Sequence, residues 1–351
     1  MTDKPTDLRP RISRDWYQPN PWLSSAFVLF TLGMFFIPGL LAAHVVTLNL
    51  SWWAKTLIII PLVILVGQGI HLTGWVGHEG LHCNLHRNKY LSFAIGIVVG
   101  AVGTSSVVGH ALNHWNHHRY INTDSDPEAK MSAQYSTFWS RFYGPRSTSH
   151  SAYHRYTVQC AMGRELPMGY RLPFTPEAAR KLAWFGLIVL AICALAWLAV
   201  LILNPVYALL GYILPAVLVA TPVSSWRVFA EHADTDTGLW TNSRSYTHWL
   251  YTFFFFGNNY HLEHHLYPGV PCYYLPAVHR VLREGGYYAR AKSFVDTDLL
   301  TPLTLTRDEH FYPTAQGRDV EHDPFRADVE DHPEESERLS DTPEQVLAKS
   351  Q

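Results

Sequence analysis

Long uncharged apolar runs constrain this chain more than any other feature. Five stand out: Trp22 to about Ala43, about Thr56 to Val76, about Leu91 to Asn113, about Leu182 to Leu203, and Val206 to about Trp226. Each reaches the ~20 residues that cross a bilayer core. Only 16% of the 351 residues are charged, against about 25% in an average soluble domain, and the deficit is concentrated in these runs. The first, second, fourth and fifth read as membrane spans. The third carries Gly96, Gly100, Gly103 and Gly109 with the polar pair Ser105 and Ser106. It is expected to be a helix or re-entrant piece packed near the interface, tolerated where protein covers the backbone.

The expected fold class is all-α integral membrane: four transmembrane helices in two hairpins, interfacial helices and a cytoplasmic histidine-rich cap. The hairpin turns, around His44–Trp53 and Asn204–Pro205, hold no Lys or Arg, whereas the N-terminal tail, the 79–180 segment and the C-terminal third hold most of the cations. The positive-inside rule then puts both termini and the middle loop in the cytoplasm. The aromatic run 246–256 is short for a span and suits an interfacial helix. Residues 1–21 read as a cytoplasmic tail without a cleavage site, 22–310 as the membrane domain, and 311–351 as a disordered acidic tail. A net charge of −2 gives no reason to expect a nucleic-acid partner. Cys83, Cys160, Cys193 and Cys272 form no CxxC pair, which fits a reducing compartment.

Twenty histidines are present, and most of the informative ones are clustered. His78 and His82 lie in GHEGLH, spaced i, i+4. His114, His117 and His118 lie in NHWNHHRY, and His261, His264 and His265 in NNYHLEHHLYP, both spaced i, i+3, i+4. On a helix such residues share a face. Eight inward imidazoles exceed one four-coordinate zinc and match two metals that keep open positions. Residues 78–82 also satisfy the HExxH string of zinc proteases, but that reading leaves six clustered histidines without a role. The metal reading also bears on the third apolar run: if it crossed the bilayer, the first and second histidine groups would face opposite sides.

The three boxes in this order on a four-span chain resemble the membrane fatty-acid desaturase superfamily, from about Trp22 to Tyr288. HHRYINTDSDPE and NNYHLEHHLYPGVPCYYLP are similar to family sequence. The resemblance implies a non-haem di-iron centre, O2 as co-substrate and electrons from a separate donor: ferredoxin, rubredoxin or cytochrome b5 with its reductase. It implies a further ligand between the last span and the third box, for which His232 is the candidate and His248 the competitor. The metal ligands are thus expected to be His78, His82, His114, His117, His118, His232, His261, His264 and His265. His71, His86 and His110 are expected to be supporting or structural. Asp124, Asp126, Glu231, Asp234 and Glu263 are candidates to hold an imidazole's other N–H, with Glu231 and Asp234 preferred, and Asn258 is expected near a metal.

The implied reaction is oxidation of an unactivated C–H bond in a fatty acyl chain, in a multi-pass protein of a bacterial inner membrane. Desaturation is the first reading. Decarboxylation to a terminal alkene, lipid or carotenoid hydroxylation or ketolation, and action on small amino-acid-like compounds are alternatives within the same chemistry. A membrane metal transporter is the alternative from another class.

Overall fold

The computed structural model describes residues 9–166 and 169–314. The acidic segment beyond 314 and the first eight residues lie outside the described part.

Four helices are long and apolar enough to cross a membrane: α1 (Pro21–Thr47), α2 (Trp52–Leu81), α7 (Pro176–Leu203) and α8 (Pro205–Ala230). Three of them start with the same device. A capping side chain precedes a proline at the first helical position: Asn20 accepts from Trp22 N and Leu23 N, Thr175 from Ala178 N, and Asn204 from Tyr207 N. The cap satisfies orphan amides, and proline has no amide to orphan. Within α8, π-type turns at Leu209–Ile213 and Ala216–Ala220 precede Thr221. Most of α7 faces outward, with Ile192, Leu195, Ile202 and Leu203 exposed, as a lipid-facing helix must.

The third apolar run is two helices. α3 (Lys89–Val102) and α4 (Val107–Tyr120) are bent by 115° at the break between them. The Gly-rich, Ser-containing stretch expected to disfavour a crossing contains that break. Since the α4 residue His114 lies against the α2 residue His78, the run returns to the side of the α2 C-terminus, as a re-entrant piece does.

α5 (Pro127–Ser132) and α6 (Phe138–Ala161) follow. After α8 the chain forms short helices: α9 (Trp249–Phe255) in the aromatic run, α10 (His261–Leu266), α11 (Leu275–Glu284), α12 (Tyr287–Ala291) and α13 (Thr301–Thr304). Trp249 and Phe253 are exposed, which suits α9 to a bilayer interface. One departure from an all-helical fold is a parallel pair of three-residue strands, β1 (Arg244–Tyr246) and β2 (Phe294–Asp296).

A core of Trp16, Phe27, Leu72, Val76, Leu262 and Leu266 locks the lower half of α2 to α10. A second core, including Leu81, Leu112, Tyr153 and Ala183, binds α4 to α6 and α7. Tyr312 is buried against Phe229 and His232.

Candidate metal centre

His78 lies in the last turn of α2 and His82 is its C-cap. Gly80, between them, lets two backbones touch: a Cβ there would stand 2.6 Å from the Gly96 Cα of α3. α4 presents His114, His117 and His118, and α10 presents His261, His264 and His265. Gly109 brings α4 against α6, where a Cβ would meet the Tyr153 carbonyl oxygen. His232 follows the last turn of α8.

All nine rings are buried, and they sort into two groups. Ligand atoms of His78, His82, His114 and His264 lie within 4.8 Å of one another, as do those of His117, His232, His261 and His265. His118 joins the first group, its Nε2 lying 3.0 Å from Nε2 of both His114 and His264. Sequence neighbours part company here. His117 and His118, and likewise His264 and His265, face different groups, because successive helical residues are turned by about 100°.

The outer nitrogens of several rings are held by protein. Nδ1 of His114 bonds Glu128 at 2.8 Å, Nδ1 of His117 bonds Asp126 at 2.9 Å, and Nδ1 of His232 bonds the Asn242 carbonyl at 2.9 Å. His78 Nδ1 lies 3.3 Å from Glu79. Such partners fix the tautomer with the lone pair on Nε2. The Nε2 atoms of these rings and of His261 and His265, whose Nδ1 atoms have no hydrogen-bond partner, face one another: His78 to His114 at 2.9 Å, His261 to His265 at 2.9 Å, and His232 to His261 at 3.1 Å. Both nitrogens of His82 and Nε2 of His117 are buried with no hydrogen-bond partner. Lone pairs packed this way repel unless a cation lies among them. Neighbouring ligand nitrogens around one metal are about 3 Å apart when each stands roughly 2.1 Å from it. The donor set fits two metal ions.

Electrostatics favour the metal-binding form for most of the rings; His117 is the exception, its burial outweighed by Asp126 and Glu128, which raise it to about 9. Burial, aided by repulsion from neighbouring imidazoles, pushes His261, His264 and His265 well below the usual histidine range, and His232 down to about 3. Neutral imidazole is the ligand. Burial alone would raise the Glu128 carboxyl, but His117 and His114 outweigh it and hold it below the usual range.

The structure brings together all nine expected ligands, including His232. His248 instead caps α9, accepting from Leu250 N. His86 accepts from Asn88 N in the α2–α3 loop. His71 bonds Ser224 Oγ at 2.8 Å, and His110 stacks on Tyr153 while standing near His114 and Glu128.

Among the carboxylates, Asp126 and Glu231 are placed as expected: Glu231 lies 3.7 Å from His261 Nδ1 and also binds Arg227. The preference for Asp234 is corrected, since it pairs with His310 at 2.5 Å, away from the clusters. Glu263 does not hold a cluster ring either. It accepts from His279, Ser245 and Tyr288, anchoring α10 to the α11–α12 region. The Asn258 amide donates to the Phe255 carbonyl. Glu79 and Glu128 were not singled out from sequence. The signal for Glu128 is DPE, an Asp cap and N1 proline that put a glutamate in a first turn just past the second box.

A family profile described as Fatty acid desaturase matches residues 50–294. No curated protein matches the chain.

Proposed function

Because the chain belongs to the fatty acid desaturase family, we propose that it is a membrane oxidoreductase that oxidises an unactivated C–H bond of a lipid acyl chain with O2, introducing a double bond. The observation that carries this reading is the meeting of imidazole Nε2 atoms from all three boxes at about 3 Å. His78, His82, His114, His118 and His264 would hold one iron, and His117, His232, His261 and His265 the other. The irons would supply O2 activation when electrons arrive from a separate donor of the ferredoxin, rubredoxin or cytochrome b5 type.

The chain's own residues position and protect. Glu128, Asp126, Glu79 and the Asn242 carbonyl aim the rings. Trp75 closes over His78 with ring centroids 4.7 Å apart, and Arg227 stacks on Trp75 at 3.9 Å. Burial keeps water from the oxidising centre. The cation distribution supports a cytoplasmic face for the centre and both termini.

Expression in cells, with fatty-acid product analysis, headspace capture of volatile alkenes and iron quantification, tests this. The expected result is an internal double bond and two irons per chain. A terminal alkene or an alcohol would replace desaturation by decarboxylation or hydroxylation on the same centre. Exchangeable zinc with no oxidised product would overturn the enzyme reading in favour of metal transport.

A further inference from the structure

Arg146 sits on α6 where two cavities meet. The first is walled by His78, His114, His232 and His261, the residues of the candidate metal centre. The second is lined by Thr104, His150, Tyr212 and Ala216, beside the α8 span. Arg146, His71 and Ser224 line both, so the two spaces adjoin along one wall.

The Arg146 guanidinium donates to Ser105 Oγ at 2.8 Å. Among the described residues no carboxylate pairs with it. Arg146 is half-buried, and the fully buried Arg227 and Arg141 differ from it. Arg227 forks onto Glu231, and Arg141 donates to the carbonyls of Tyr135, Thr306 and His310. The acids of the first cavity are engaged elsewhere, Glu128 with His114 and Glu231 with Arg227. No acid lines the second cavity. His150, one turn along α6, is pushed down to about 3 by burial and by Arg146, so it adds no charge. Arg146 is therefore a cation with unused donors beside the centre. A guanidinium fork matches a carboxylate with two parallel hydrogen bonds.

We propose that Arg146 anchors a free carboxylate on the substrate, inside the cavity that the metal-centre histidines line. The inference rests on the oxidase reading and narrows its substrate class from acyl lipids to free acids. A carboxylate held there puts the carbons next to the head group, rather than the middle of a chain, beside the imidazoles. The apolar remainder would run past Ala216 and Ala220 of α8.

The test is equilibrium binding to detergent-purified full-length protein, with iron per chain measured on every sample. Probes are dodecanoate, hexanoate and methyl dodecanoate. Wild type should prefer dodecanoate to its methyl ester. Arg146→Gln should weaken dodecanoate about tenfold or more, as loss of a charged pair does, with iron content and ester binding unchanged. Arg146→Lys should retain part of the preference, and it serves if the glutamine variant fails to fold. Hexanoate binding as tightly as dodecanoate would support the carboxylate site while assigning it to small acids. Equal affinity of wild type for acid and ester, or no loss in Arg146→Gln, would overturn the proposal. Absence of iron from wild type would instead remove the di-iron reading, whatever the acids do.

Discussion

Glu128 carries a large share of the site's order for a single side chain. It holds His114 at 2.8 Å, and its other oxygen stands 4.0 Å from His117, so it touches a ring of each cluster. Losing a carboxylate behind a metal-bound histidine typically costs 10–100-fold in metal affinity. Glu128→Gln is expected to weaken iron retention by roughly that range while membrane insertion persists, as chelator titration of the purified variant would show. Direct ligand removal should be selective. His264→Ala strips the first cluster and His232→Ala the second, so iron per chain should fall from two toward one in each, with product lost in both. His248→Ala should retain both irons; loss of iron there would contradict the assignment of His232.

At the scale of elements, close backbone approaches set where the rings stand. α2 and α3 meet at Gly80 and Gly96 with no room for a side chain. Gly80→Ala forces a shift that overpacking data put at about 1–3 kcal/mol. The thermal midpoint and the iron content should fall together, and unchanged values for both would show that the α2–α3 contact is dispensable. Sequence legibility follows the same division. The four spans were readable because uncharged runs of that length have few other fates, and the bend between α3 and α4 because Gly and Ser interrupt the third. His232 was reachable only through resemblance, since one histidine after a span has no periodicity to mark it. The division of each HH pair between two groups follows from helix rotation, but which ring goes to which group depends on how α2, α4 and α10 cross. Asp234 and Glu263 misled because adjacency along the chain says nothing about direction: Asp234 has a positive φ of 54° and points to His310.

For the whole molecule, the concentration of buried neutral imidazoles has a pH consequence. His232, His261, His264 and His265 are depressed in the fold, whereas histidine in an unfolded chain titrates near 6.5. For these rings the unfolded chain binds more protons below that pH, so their contribution to stability falls as pH drops through about 6.5 and levels off above it. His117, raised to about 9, has the opposite sign and loses its share as pH rises toward that value. Chelator-treated protein in detergent should melt at progressively lower temperature from pH 7.5 to 5.5. A flat profile would mean that these rings are not held neutral. In metal-loaded protein the same protons compete with the ions, so acid should release iron over this window or below it.

The mixing of distant segments in each cluster also orders events during biosynthesis. His78 and His82 emerge from the ribosome early, but the first cluster also needs His264, and the second needs His232, His261 and His265. Neither can close until translation has passed the last span and reached α10. Metal insertion is then a late, post-integration step, and a nascent chain stalled before residue 260 would be threaded into the bilayer yet unable to retain its ions.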